Sequence, residues 1–87
     1  MWYLTEDLKL NNNSLDKSFD LPRKKYLILM LLLKNKNEIV SYDNIIRFAD
    51  LSSKNALRNH IKQLQKMELP IFIIAKHGVM FKETVEV

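Results

Sequence analysis

The sequence predicts an α+β fold in which a small antiparallel sheet opens the chain, three helices follow, and a β-hairpin closes it. Three observations support this. Short apolar–polar alternations fill residues 1–21, apolar residues recur at helical spacing over residues 22–68, and two β-prone runs flank Gly78 within residues 69–87. With 87 residues, the chain predicts a single small domain, residues 1–87, built from these three segments.

The first segment predicts a small antiparallel meander. Trp2-Tyr3-Leu4, Leu8-Lys9-Leu10 and Phe19-Asp20-Leu21 alternate as short strands do. Residues 11–13 and 16–18 are predicted to form the turns, because asparagine and aspartate tolerate left-handed backbone conformations. Trp2 and Tyr3 are expected to pack this first sheet.

Helix 1 is predicted from about Pro22, which suits a first helical turn, to Asn35. Its run YLILMLLL, residues 26–33, predicts a helix buried on several sides and is much shorter than the roughly 20 residues that a membrane span needs. Helix 2 follows Ser41, a good N-cap, and covers YDNIIRFA. Its core-facing side chains are predicted to be Ile45, Ile46, Phe48 and Ala49. Just before it, Ile39-Val40 predicts a strand piece of one or two residues.

Helix 3 is predicted to be capped by Ser52 or Ser53 and to end near Met67–Glu68, because Pro70 disfavours helix in the residue before it. The tail predicts strands over Ile71–Ala75 and Val79–Val85. Lys76-His77-Gly78 is predicted to form the hairpin turn, with the chain's single glycine in it.

Charge and composition favour some classes of function and exclude others. The net charge is +4, yet residues 1–20 hold two lysines against four acids, so the rest of the chain carries the excess and favours a polyanionic partner. Cysteine is absent, which excludes disulfides and thiolate zinc sites and agrees with a cytoplasmic location. Two distant histidines and the lack of an acidic cluster predict no metal site, and no cofactor motif is present. Without a nucleophile–base pair, paired carboxylates or a glycine-rich loop, the chain is not expected to be an enzyme.

Helix 3 carries the most informative pattern. Leu57, Ile61 and Leu64 fall within about 60° of one another and predict the buried stripe. The opposite face has amides and cations and no acid: Asn55, Arg58, Asn59, Lys62, Gln63 and Lys66. Ordinary exposed helices mix glutamate with lysine. Arginine suits guanine, asparagine and glutamine suit adenine, and lysine neutralises phosphate, so this face favours duplex DNA.

The order of elements predicts a winged helix-turn-helix, in which the third helix enters the major groove. The hairpin tip, Lys76 and His77, is then placed to touch phosphate or the adjacent minor groove, although His77 is also interpretable as a plain exposed turn residue. His60 lies on the flank of helix 3, and two interpretations stay open for it: a boundary histidine or a DNA contact.

These residues resemble the OmpR/PhoB-type winged-helix DNA-binding domain of bacterial response regulators over nearly the whole chain. The resemblance lies in LPRKKYLILMLLLKN, in the Val40-Ser41 entry to helix 2, in AKHGVMF, and most specifically in NALRNHIKQL. It implies that Asn55, His60, Lys62 and Gln63 face DNA, with Lys66 near the backbone. Gln65 stands where the family usually has arginine, and of the family's wing motif only Gly78 remains.

The resemblance further implies a two-component output domain, normally joined to a phosphorylatable receiver domain. RNA polymerase and self-association on tandem sites are partners implied by the same analogy, and no membrane is expected. The chain begins almost inside the first predicted strand, which favours an excised C-terminal domain over a stand-alone effector. The alternative hypothesis is a protein-docking module on the same scaffold without sequence-specific DNA binding. An exposed apolar patch near Trp2, Tyr3 and Phe19 would favour that alternative.

Overall fold

A computed structural model describes residues 1–83. The chain opens with a three-stranded antiparallel sheet in which consecutive strands are neighbours. Its strands are β1 (Trp2–Leu4), β2 (Lys9–Asn12) and β3 (Lys17–Asp20). Trp2 is buried and stacks on Phe19 with ring centroids 6.3 Å apart, whereas Tyr3 is 39% exposed. The predicted meander is therefore present, and Trp2 packs it as expected. The prediction that Tyr3 also packs the sheet is wrong, because Tyr3 lies on the exposed side and donates its hydroxyl to the Asn13 side chain at 3.0 Å.

The turn between β2 and β3 differs from the prediction. Asn11 and Asn12 lie inside β2, and the turn covers residues 13–16, with Asp16 in the left-handed conformation at φ 52°. Lys17 and Ser18, predicted in a turn, are the first residues of β3. The side chain of Asn12 is buried and accepts a hydrogen bond from the Leu15 amide at 3.2 Å. This bond holds the turn from within the strand, which an asparagine run does not reveal.

Three helices follow, α1 (Arg23–Lys34), α2 (Tyr42–Ala49) and α3 (Lys54–Lys66). Pro22 precedes α1, and the Asn35 side chain ends it by donating to the Leu31 carbonyl at 2.9 Å. Ser41 caps α2 by accepting from the Asn44 amide at 3.2 Å. The predicted helices are confirmed within one residue at these boundaries.

Burial of α1 and α2 is less complete than predicted. Within the run 26–33 only Ile28, Leu29 and Leu32 are fully buried, and the other side chains are half-buried. On α2, Ile45 and Ala49 are buried one turn apart, while Phe48 is 45% exposed. The prediction that Phe48 faces the core is wrong, because this short helix buries a single stripe and Phe48 falls beside it.

A hairpin of β4 (Ile71–Ile74) and β5 (Gly78–Phe81) closes the described chain. The predicted strands were longer: Ala75 belongs to the turn, Lys82 and Glu83 are irregular, and the predicted end at Val85 lies outside the described residues. Val40 joins the hairpin edge through two backbone hydrogen bonds with Val79, of 2.8 and 2.9 Å. The strand piece predicted at residues 39–40 is thus a single bridge that ties the hairpin to the entry of α2.

All of these elements contribute to one core, which includes Leu10 of the first sheet, Ile28 of α1, Ile61 of α3 and Phe81 of the hairpin, each at most 1% exposed. None of the helices in the described part of the chain has the length and apolar composition to cross a membrane.

Candidate nucleic-acid interface

Helix α3 is fixed in orientation by its cap and by one apolar stripe. The Ser53 hydroxyl accepts a hydrogen bond from the Ala56 amide at 3.2 Å, so Ser53 rather than Ser52 is the cap. Leu57, Ile61 and Leu64 are each at most 1% exposed. Burying this stripe leaves the opposite face of the helix in solvent.

Every amide and cation predicted on that face is exposed: Asn55, Arg58, Asn59, Lys62, Gln63 and Lys66. Lys54 adds a further exposed cation at the start of the helix. Among residues 1–83, no carboxylate lies within ion-pair distance of the cations of α3, whereas Lys9, Lys17 and Lys36 elsewhere are paired with acids. The positive charge of this face is therefore not neutralised by neighbouring carboxylates in the described structure.

The hairpin is linked to both ends of α3. Near the C-terminal end, the Gln65 side chain donates to the Ile71 carbonyl at 3.0 Å. Near the N-terminal end, the Lys54 ammonium lies 4.7 Å from the centre of the Tyr42 ring, and the Tyr42 hydroxyl donates to the Ile74 carbonyl at 3.3 Å. Strand β4 is therefore held alongside α3, with Ile74, the last residue before the turn, connected to the first turn of the helix.

The tip of the hairpin exposes Lys76 and His77. Lys76 adopts the left-handed conformation at φ 67°, and the His77 amide closes the turn on the Ile74 carbonyl at 3.0 Å. Gly78 is not the left-handed residue of the turn but the first residue of β5. Its hydrogen is needed because a Cβ there would lie 2.0 Å from the Val40 carbonyl oxygen.

His60 is set apart from the exposed face. Its ring is half-buried, and its Nδ1 lies 3.1 Å from the ammonium of Lys25 on α1. A lysine ammonium is only a donor, so Nδ1 accepts and the ring proton resides on Nε2. Burial, followed by the charges of Lys25 and Lys24, lowers the pKa of His60 below its ordinary value. His60 is therefore neutral at pH 7 and adds no cation to the interface.

The structure brings the six predicted residues of α3 onto one exposed surface and places Lys76 and His77 on the exposed tip of the linked hairpin. It leaves His60 on the side that contacts α1. Sequence reasoning missed Lys54 and Tyr42 as members of the site. Lys54 belongs to the basic run and was detectable from charge, whereas the contact between Tyr42 and Ile74 spans 32 residues and leaves no local signal.

The chain was compared with known proteins. A scan against protein-family models found no match, and a search of curated proteins found no relative. Among solved structures, the C-terminal domain of the nisin resistance regulator NsrR, a lantibiotic response regulator, is similar at a TM-score of 0.80 and 19% identity, over 97% of this chain and 94% of that one.

Two further structures are similar. The DNA-binding domain of E. coli CadC has a TM-score of 0.75 and 17% identity, over 92% of this chain and 84% of that one. The DNA-binding domain of Bacillus subtilis CssR has a TM-score of 0.74 and 16% identity, over 92% and 98%. The chain therefore shares the fold of these domains, which is the winged helix-turn-helix fold that its sequence predicted.

Proposed function

We propose that this chain binds double-stranded DNA in a sequence-specific manner, as the output domain of a transcriptional regulator in a cytoplasmic two-component system. The observation that carries the proposal is the exposed face of α3. It combines base-reading amides with cations that no described carboxylate neutralises, on a fold shared with domains named as DNA-binding.

The roles follow from side-chain chemistry. In the major groove, Arg58 has the donor fork that suits guanine, and Asn55, Asn59 and Gln63 have the paired donor and acceptor that suit adenine. Lys62, Lys66 and Lys54 are assigned to phosphates, which hold the register without reading sequence. His60 is assigned to the flank of the interface as a neutral Nε2–H donor.

The hairpin supplies a second point of contact in this proposal. Lys76 and His77 at the tip are assigned to a phosphate or to the adjacent minor groove. Tyr42 is a positioning residue, since its hydroxyl connects the strand before the tip to the first turn of α3. A receiver domain, RNA polymerase and self-association on tandem sites are further partners of the proposal, supported by fold analogy alone.

Selection of binding sites from a random pool of duplex DNA tests the proposal. The wild-type chain is expected to enrich a recurring motif, and Gln63→Ala is expected to relax the base preference at one position of that motif. Each correct base contact discriminates by about 1–3 kcal/mol, which is large enough to alter the motif. A wild-type pool without a motif, or a Gln63→Ala motif identical to the wild-type one, would contradict sequence reading by α3.

The alternative function, a docking module for proteins, is supported by a different surface. Of Trp2, Tyr3 and Phe19, where an exposed apolar patch would favour it, Trp2 is buried and Phe19 stacks on it, whereas Tyr3 is 39% exposed and donates its hydroxyl to the Asn13 side chain. Phe48 and Ile39 are instead exposed at a groove that contains no residue of α3. This surface is compatible with DNA binding by α3.

A further inference from the structure

A groove follows the junction of α1 and α2. It consists of two adjoining recesses, its two stretches, which share Phe48 of α2. Leu27 of α1 lines one stretch, and Leu31 of α1 and Ile39 of the connecting segment line the other. Phe48 is 45% exposed and Ile39 is 50% exposed. Because no residue of α3 or of the hairpin tip lines this groove, it stays accessible when α3 holds DNA.

Its apolar surface has the character of a binding site. A large aromatic side chain in a recess is the type of anchor that dominates protein interfaces. The α1 side of the groove comes from the leucine-rich run, whose outer residues remain half-buried rather than covered. Leu27 and Leu31 pack against the core on one side and leave their outer surface beside the exposed Phe48, and a contiguous exposed apolar surface is typical of an interaction site.

The charges that line the groove select the partner. Arg23 lines one stretch and Arg47 the other, and neither is within ion-pair distance of a carboxylate among residues 1–83. Lys24, also in the lining, pairs with Asp50. The lining therefore keeps two uncompensated guanidinium groups, one in each stretch, which are suited to carboxylates.

The length of the groove indicates the form of the partner. Together the two stretches follow the whole of α1, from Arg23 to Asn35 at its C-terminal cap, which corresponds to about 18 Å, or roughly three turns of helix. We propose that this groove docks an amphipathic helix of a partner protein, with acidic side chains on either side of its apolar stripe. The apolar stripe covers Phe48 and Leu31, and the acids pair with Arg23 and Arg47, in the helix-in-groove mode of recognition.

A pair of synthetic peptides tests this proposal on the whole chain. Both are helices of ~14 residues with leucine and phenylalanine at the a and d positions. One has glutamate at the flanking positions, and the other has lysine. Binding is measured by fluorescence anisotropy and is mapped by amide chemical shifts in the 15N-labelled protein.

The glutamate peptide is expected to bind and to shift amides of α1 and α2, whereas the lysine peptide is expected to bind at least about tenfold more weakly. Phe48→Ala and Arg47→Glu should each lower the affinity for the glutamate peptide by about tenfold or more. Leu15→Ala, which removes an exposed leucine from the β2–β3 turn, is the matched control and should leave binding unchanged.

Equal binding of the two peptides, shifts mapping to another surface, or no binding at about 1 mM peptide would overturn the proposal. Concentration-dependent dimerisation abolished by Phe48→Ala would also overturn it, because a second copy would then occupy the groove. DNA affinity of Phe48→Ala is measured in parallel. It is expected to stay at the wild-type value, so a failure of this proposal is distinguishable from a failure of DNA binding.

Discussion

The salt dependence of DNA binding gives a quantitative test of the cations on α3 and the hairpin tip. Five exposed basic residues belong to this surface, namely Lys54, Arg58, Lys62, Lys66 and Lys76. Arg58 is assigned to a base, so if each of the four lysines neutralises one phosphate, the slope of log affinity against log salt is about −3.6, and affinity falls by roughly 150-fold between about 50 and 200 mM salt.

The double variant Lys62→Gln/Lys66→Gln removes two of these contacts. Its slope is expected to be about −1.8, and its affinity is expected to fall by only about 12-fold over the same range. Both side chains are exposed and lie outside the buried stripe, so the variant should keep the stability of the parent protein. The assay is fluorescence anisotropy of a labelled duplex at several salt concentrations.

The matched control is Lys9→Gln/Lys17→Gln. This double variant also removes two positive charges, but from lysines that pair with Asp7, Asp20 and Glu68. Exposed pairs of this kind contribute little to stability, so the control should fold normally and retain the parent slope. An unchanged slope in the α3 variant, or an equal reduction in the control, would refute the assignment of the phosphate contacts to this surface.

Three further predictions concern the wing and the flank of α3. Gly78→Ala should lower the free energy of unfolding, measured by urea titration, by about 3 kcal/mol or more, because its Cβ would lie 2.0 Å from the Val40 carbonyl oxygen. A loss below about 1 kcal/mol would contradict this close packing. Tyr42→Phe removes only the hydrogen bond to Ile74, so it should weaken DNA binding several-fold and lower the free energy of unfolding by about 1 kcal/mol. Equal DNA affinity of variant and parent would show that Tyr42 does not position the site. The lowered pKa of His60 means that the unfolded chain takes up this proton more readily, so the fold loses stability as pH falls through the ordinary histidine pKa of about 6.5. His60→Gln should therefore show a smaller drop in Tm between about pH 7.5 and 5.5 than the parent protein does, and an identical drop in the two proteins would contradict the lowered pKa of the half-buried histidine.

Periodicity and caps predicted much of the architecture. The stripe of Leu57, Ile61 and Leu64 was readable because helical spacing places these residues on one side, and the polar face then follows by exclusion. Ser41 was identifiable as the cap of α2 because a hydroxyl before an amphipathic run is a local feature. Helix faces and caps, which depend on residues close together in the sequence, were therefore predictable.

The remaining differences arise from contacts that are distant in sequence. Gly78 was assigned to the hairpin turn, whereas the close approach of Val40 is what requires glycine, and Lys76 provides the left-handed turn residue. Likewise, the connection of Tyr42 to Ile74 has no sequence signature.

Incomplete burial was the other feature that the sequence did not predict. The leucine-rich run of α1 was expected to be buried on several sides, and Phe48 was expected in the core. Apolar character alone does not show whether a domain of 87 residues has enough other elements to cover each apolar face. The groove at Phe48 is one part of the surface that remained uncovered, and Phe72 and Ile73 of β4 are also exposed.

The most direct test of the central claim is a titration of the 15N-labelled protein with a duplex carrying the selected motif, followed by amide chemical shifts. DNA binding through α3 predicts the largest shifts between Asn55 and Lys66 and at Lys76 and His77, with small shifts in the first sheet and at Phe48. If the protein is saturated with DNA and the amide shifts of α3 do not change, or the largest shifts lie in the first sheet, the assignment of α3 as the DNA-reading element would be contradicted.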